Sequence, residues 1–391
     1  MYKRQMLNRF FKETRFLGVQ RILIKDGKNG EREMKSWVYL IGLALLVLLT
    51  GCDKMYDDLT PDTESDWPWE TVTPESQGIL SEDLDSLVDY IESNGIGIHS
   101  VIIYKNGTIP YEKYFDPFNK DVLHNLKSTS KGIISALTGI ALEEGYIDSL
   151  GESVLSYFPE YEVKDSTEKS DITLRHLLTM TSGLKWNEND LNSMYTFFVD
   201  KRIAKRVLNL PLESEPGTSF NYNTGLTHLL SVIIAKASGM STLELAEEYI
   251  FDPLNIQNVQ WNTDREGYHI GGSELFLTPR AMTKFGVMYL HDGEYQGQQI
   301  IPEDWVIESK STQVEGLFHG ANIQYGYLWW LDIGNPLFTY LDDESRFLAM
   351  GARGQRIFIC PQQDAVVVIT ADQGDESQCD ILIRDFILPA I

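Results

Sequence analysis

Apolar positions recur along this chain with two different periods. Between Leu80 and Ile91 they return every three or four residues, the spacing of one buried helical face. From Ser100 the period shortens. Val101-Ile-Ile-Tyr104, the turn-forming Lys105-Asn106-Gly107 and Thr108-Ile-Pro-Tyr-Glu-Lys-Tyr-Phe115 predict two strands joined by an Asn-Gly hairpin. Helical spacing resumes over Gly132–Leu142, with Ile133, Ile134, Leu137, Ile140 and Ala141 on one side. From about residue 150 to 270 the pattern breaks into short helices and polar loops, among them His176–Met180, Leu226–Ser238 and Thr242–Ile250. Strand character returns in Arg356–Cys360 and Ala365–Thr370 about the turn Pro361–Asp364, and Gln378–Leu388 reads as an amphipathic helix. Strand pairs near both ends with helices between them predict one α+β domain over 76–391. Residues 76–150 and 270–391 form its α/β lobe and 150–270 a helical insertion, leaving a cleft between the two lobes.

The first residues follow another logic. Trp37–Leu49 is an apolar run behind Lys35, too short for a membrane span of about 18 residues and suited to a secretory signal. It ends in Leu49-Thr50-Gly51-Cys52, which resembles the bacterial lipobox and implies cleavage before Cys52 with lipid attached to it. Met34-Lys35-Ser36 suits the start of such a signal. Residues 1–33 then read as a miscalled start or a basic cytoplasmic extension, and 34–51 as a lipoprotein signal peptide. Residues 52–75, rich in Asp, Glu, Thr, Ser and Pro without an apolar period, read as an acidic tether. The expected location is the bacterial cell envelope, anchored to a membrane by lipid and facing the periplasm or the cell surface.

Composition is ordinary for a globular chain of this length, but charge is not. The formal charge of −24 becomes −30 once residues 1–51, with ten Lys/Arg and four Asp/Glu, are set aside. That excess argues against nucleic acid as a partner, which requires a basic face. Besides Cys52 there are only Cys360 and Cys379, which an oxidising compartment would allow to pair. The histidines are scattered and no CxxC or HExxH spacing occurs, so neither a metal nor another cofactor is expected.

Chemistry concentrates at Ser128-Thr129-Ser130-Lys131, immediately before the helical run. A serine alcohol needs an adjacent base to attack an acyl carbon. An amine three residues on shares a helix face with it, some 5–6 Å away at Cβ. Two other S-x-x-K matches exist, Ser166–Lys169 and Ser182–Lys185, but neither precedes an apolar helical period. Serine is also a preferred helix cap, so these residues alone leave nucleophile and cap both open. A second constellation, Pro216-Gly-Thr-Ser-Phe-Asn-Tyr222-Asn-Thr224, enters the helix from Leu226. Tyr222 is either a packed aromatic or a proton carrier, the latter if neighbouring positive charge lowers its pKa from about 10. The third, Gly351-Ala-Arg-Gly354-Gln355, is either a simple turn into a strand or an edge offering N–H donors to an oxyanion.

Serine and lysine at a helix start, a tyrosine mid-chain and a glycine-rich strand near the end follow the order of the serine β-lactamase and penicillin-binding-protein superfamily. Ile172–Glu188, Gly271–Gly286 and Tyr325–Trp330 add to the likeness, which spans about residues 75–390. The chain most resembles the class C-type branch, with its esterases, D-aminopeptidases and 6-aminohexanoate-dimer hydrolases. The resemblance implies an α+β, β-lactamase/transpeptidase-like fold: an antiparallel sheet flanked by helices, with a mostly helical inserted lobe. It implies an acyl-enzyme on Ser128, Lys131 as general base, Tyr222 as proton shuttle, and an oxyanion hole from the N–H groups of Ser128 and Gln355. Gly354, Thr224 and Arg353 would then contact substrate. Two residues depart from the family pattern. Thr224 stands where Asn is usual, and Ala352 where a Lys or His helps bind a substrate carboxylate, unless Arg353 substitutes. The expected activity is hydrolysis of a small ester, amide or short peptide, ranked ahead of D-amino-acid peptidase and β-lactamase activity. A non-catalytic envelope protein that binds cell-wall peptides is the competing reading. The expected native N-terminus is a lipidated Cys52, and mass spectrometry finding residues before it retained would overturn that assignment.

Overall fold

A computed structural model describes residues 67–188, 190, 193, 200–343 and 345–391. The expected extension, signal, Cys52 and the first part of the tether lie outside the described residues. From Trp67 the chain is already part of the body, because β1 (Glu70–Thr71) pairs in parallel with Thr108 and Ile109.

Nine strands form the principal sheet: β1, β2 (Ile98–Lys105), β3 (Thr108–Tyr114), β4 (Val314–Phe318), β5 (Ala321–Tyr325), β6 (Trp330–Ile333), β7 (Phe347–Gly351), β8 (Gln355–Cys360) and β9 (Ala365–Ala371). Their spatial order is β1-β3-β2-β9-β8-β7-β6-β5-β4, antiparallel except at β1. The expected hairpin is present, with Asn106 and Gly107 both left-handed, which matches the twist of the flanking strands. β9 inserts beside β2, Val367 opposite Ile103 and Ile369 opposite Val101, so the last strand joins the first hairpin to the rest. Its residues are all buried, as a central strand covered on both faces requires.

Helix α1 (Ser81–Asn94) buries Leu84, Leu87 and Ile91 and ends at left-handed Gly95. Helix α2 (Lys131–Glu143) is buried along most of its length and packs against α3 (Thr224–Ser238), the central helix of the inserted lobe. Around α3 lie short helices at Leu174–Leu178, Ile203–Leu208 and Thr242–Ala246, the last continuing as a π-helical turn to Phe251. A small sheet of His124–Asn125, Leu275–Leu277 and Gln260–Trp261 stands where the chain passes between the lobes. Helix α4 (Pro279–Leu290) crosses the centre of the large sheet against β2, β8 and β9. The expected C-terminal helix is present but less regular than its pattern indicates, α5 (Ser377–Ile381) running into a π-helical turn at Leu382–Ile387. Cys360 and Cys379 are both buried and free.

Gly286 sets how closely α4 approaches the sheet, since a Cβ there would fall 2.7 Å from Val366 Cγ1 and 2.9 Å from Ile357 Cγ2. On an exposed helix, replacing glycine by alanine gains about 1 kcal/mol. Here the sign reverses: Gly286→Ala should cost about 1–3 kcal/mol by overpacking, read as a lowered thermal midpoint.

Candidate active site

Ser128 sits in a 3₁₀ turn, Lys127–Ser130, that leads directly into α2. The expected position was the first turn of the α-helix itself. Ser128 is not a cap, because the caps of these two segments are Leu126 and Ser130. Asn125 Oδ1 accepts from the Lys127 N–H at 3.0 Å and Ser130 Oγ donates to the Lys127 carbonyl at 2.8 Å. Between them Lys127 is held at φ +52°, a left-handed conformation costly for a residue with a side chain, which turns Ser128 towards the cleft.

Lys131, the first residue of α2, is 1% exposed, and its Nζ lies 2.9 Å from Ser128 Oγ. It also donates to Thr224 Oγ1 at 3.0 Å and to the Gly272 carbonyl at 3.1 Å. These partners come from the head of α3 and from the Gly271-Gly272 pair. Gly272 is pressed so closely on α3 that a Cβ would stand 2.4 Å from Thr224 Cγ2. Burial pulls the Lys131 amine down to about 8, with the nearby Glu188 carboxylate opposing the shift.

Tyr222, two residues before Thr224, also stands beside the amine. Its ring stacks on Trp330 at 5.4 Å between centroids, lies edge-on to Phe318, and has Lys131 Nζ 5.0 Å from its centre. Tyr222 and Ser128 both line the cleft. The expectation that positive charge lowers this phenol does not hold. Burial raises it, Glu188 and Glu376 raise it further, and only the Ser128 hydroxyl pulls the other way. At neutral pH Tyr222 therefore carries its proton.

A cleft of about 430 Å³ is lined by Ser128, Glu188, Tyr222, Phe318, Trp330, Gly351, Ala352 and Glu376, among others. The expected contacts at Gln355, Gly354 and Arg353 are not on that wall. Gln355 is 3% exposed and its side-chain amide donates to the Ala371 carbonyl. Gly354 adopts φ +99° and faces inward, where a Cβ would meet Cys379 Sγ at 2.5 Å. The Arg353 guanidinium pairs with Asp372 on the outer surface. Gly351-Ala352 is the part of this edge on the cleft wall, while the Gln355 carbonyl accepts from Thr129 Oγ1 at 3.4 Å. A Cβ on Gly351 would come within 2.3 Å of the Leu126 carbonyl and 2.8 Å of Thr129 Oγ1. Among the described residues no cluster of three His, Cys, Asp or Glu side chains is placed to hold a metal ion.

Two parts of the site escaped the sequence reading. Glu188 accepts from the Thr224 N–H at 3.1 Å, from the Thr224 hydroxyl and from Trp186 Nε1. Its only sequence signal was its place two residues after Trp186 in the long stretch from Ile172. Arg356 and Asp380, 1% and 2% exposed, form a two-point ion pair at 2.9 and 3.0 Å beneath the cleft. Arg356 also donates to the carbonyls of Gly351 and Gln355 at 3.0 Å each, so this pair holds the strand edge opposite Ser128. The two decoy motifs stay away from the cleft: Ser166–Lys169 is one helical turn, and Lys185 pairs with Glu213 in solvent.

The family model described as Beta-lactamase matches residues 86–390, and the chain belongs to that family, within the serine β-lactamase and penicillin-binding-protein superfamily. An uncharacterised protein of Alkalihalophilus pseudofirmus is 23% identical over 329 residues, 74% of this chain and 89% of that protein. Among solved structures, a Bacillus anthracis protein assigned as a 6-aminohexanoate-dimer hydrolase has a TM-score of 0.65 at 23% identity, over 78% of this chain and 80% of its own. EstCE1, a hydrolase with promiscuous acyltransferase activity, has a TM-score of 0.66 at 16% identity, over 80% of this chain and 99% of its own. At such identities the likeness to these structures is one of fold. A buried ion pair left half-formed is costly, so Asp380→Asn should lose about 3–5 kcal/mol in urea unfolding, and Arg356→Met with Asp380→Leu should recover most of it.

Proposed function

We propose that this protein is a serine hydrolase that cleaves a small ester or amide through an acyl-enzyme on Ser128. The carrying observation is a buried amine 2.9 Å from the Ser128 hydroxyl, with a depressed affinity for its proton. Lys131 takes the Ser128 proton as Oγ attacks the substrate carbonyl carbon. The resulting oxyanion is held by the Ser128 and Ala352 N–H groups, the latter in place of Gln355. Collapse breaks the bond to the leaving group, which receives the proton from Lys131 through neutral Tyr222. Water then repeats the sequence against the acyl carbon, and the acid product leaves with Ser128 restored. A peptide-binding module has no use for an amine buried against a serine at the cost of its solvation, which disfavours the non-catalytic reading.

Substrate charge follows from the cleft wall. Ala352 supplies no cation, Arg353 is paired outside, the Arg356 charge is matched by Asp380, and Glu188 and Glu376 face inward. Neutral esters and amides suit this wall better than the carboxylates of penicillin-like molecules, and EstCE1 offers a hydrolase precedent on the same fold. Export and anchoring through Cys52 complete the proposal.

A fluorophosphonate probe should label the parent protein and leave Ser128→Ala unlabelled; equal labelling of both would sink the assignment. Because the base works as the neutral amine, the acylation rate should climb as pH rises through about 8 and level off above it. A rate falling over that range would contradict the role given to Lys131. Nitrocefin should be turned over negligibly beside a p-nitrophenyl ester, and rapid hydrolysis would show that the missing cation is not needed.

A further inference from the structure

The unusual Thr224 has a proton to place, and its surroundings decide where it goes. A threonine hydroxyl carries one hydrogen and accepts through its remaining lone pairs. Thr224 Oγ1 lies against two groups, Lys131 Nζ at 3.0 Å and Glu188 Oε1, with which it makes a short contact. A carboxylate can only accept, and a hydrogen bond to it is charge-assisted and stronger than one to an amine. The hydroxyl hydrogen therefore points to Glu188, and the oxygen presents only acceptor capacity to Lys131.

That orientation propagates to the reacting pair. Neutral Lys131 has two N–H hydrogens and one lone pair. The Gly272 carbonyl, at 3.1 Å, takes one hydrogen because a carbonyl has none to give. Thr224, its own hydrogen committed, takes the second. The lone pair is left for Ser128 Oγ at 2.9 Å, the direction needed to receive the serine proton. Were Thr224 free to donate to the amine, the lone pair would be spent there and Lys131 would face Ser128 as a donor.

We propose that Glu188 is a positioning residue that, by fixing the Thr224 hydroxyl, keeps the Lys131 lone pair directed at Ser128. It thereby supplies through two residues what an amide oxygen at position 224 would supply directly. The inference rests on the hydrolase reading above. Glu188 is itself clamped, receiving the Thr224 N–H at 3.1 Å and the Trp186 indole N–H, while the Asn221 amide holds the Leu184 and Trp186 carbonyls at 3.3 and 3.2 Å. Among the described residues, the titratable groups facing the amine are this carboxylate, from the loop after Trp186, and neutral Tyr222, from the approach to α3.

The test is a mutant cycle read by the rate of fluorophosphonate labelling across pH 6–10 on the full-length protein, with thermal melts of each variant. Glu188→Gln should lower the high-pH plateau about 100-fold, the loss typical of a misdirected catalytic group. It should also move the midpoint of the profile below that of the parent, since the carboxylate supports the protonated amine. Whatever Thr224→Asn does on its own, adding Glu188→Gln to it should cost no more than about twofold, because the asparagine oxygen accepts without help. Thr224→Val keeps the shape, drops the hydroxyl, and should make Glu188→Gln equally inconsequential. A Glu188→Gln loss of the same size in all three backgrounds, an unmoved midpoint, or no loss at all would each overturn the role given to Glu188. If Lys131→Met labels like the parent, the hydrolase reading itself fails, and that outcome is distinct from a flat Glu188 cycle.

Discussion

A lysine amine with almost no contact with water is the constraint around which this molecule is arranged. Removing an ammonium from solvent costs several kcal/mol unless its hydrogens find acceptors. The acceptors here come from three separate stretches: the 3₁₀ turn before α2, the head of α3, and the glycine pair after residue 270. Each must stand at its place for the others to be useful. The packing of α2 on α3, the close approach of Gly272 to α3 and the strained Lys127 all follow from serving one nitrogen. Burial weakens the amine's hold on its proton, which is the property the proposed base requires.

Beneath the cleft a second buried charge does a different task. The Arg356 guanidinium spans Asp380 and two main-chain carbonyls, and Tyr340 closes the set with a 2.8 Å hydrogen bond to Asp380. Five directed donors fit such a fork, and a lysine would not. The pair is inert chemically, its guanidinium held well above the ordinary arginine range by Asp380 against the penalty of burial. It fixes the backbone of Gly351, where close approach to the nucleophile turn leaves no tolerance for movement. Reactive and rigid charges are thus separated, one adjustable by pH and one not.

Much of this was legible from residue spacing. The hairpin at Asn106-Gly107, the helix after Ser128 and the final strand pair are local patterns, and the structure holds all three. The Ser128–Lys131 interval identified the helical face on which the two meet, though not the 3₁₀ turn that aims the serine. Strands β4 to β7 were invisible as strands, because their pairing partners and aromatic packing, not a local alternation, define them. Glu188 and Asp380 were hidden for a related reason, since each matters through a partner 36 or 24 residues away. The glycine-rich edge teaches something narrower. Gly351 and Gly354 look alike in sequence, yet one is glycine so that a neighbouring loop can approach, and the other because it turns left-handed against a buried sulfur.

The insertion of β9 between β2 and β8 carries a consequence for how the molecule comes into being. Ser128 and Lys131 follow the first hairpin in sequence, but Trp330, Gly351, Ala352 and Glu376 on their cleft wall come much later in the chain. Closing so long a loop is entropically slow. Until that loop closes, Ser128 and Lys131 lack the Gly351-Ala352 edge beside them. The Ser128 pocket is complete only once β7 to β9 have paired with one another and with the first hairpin.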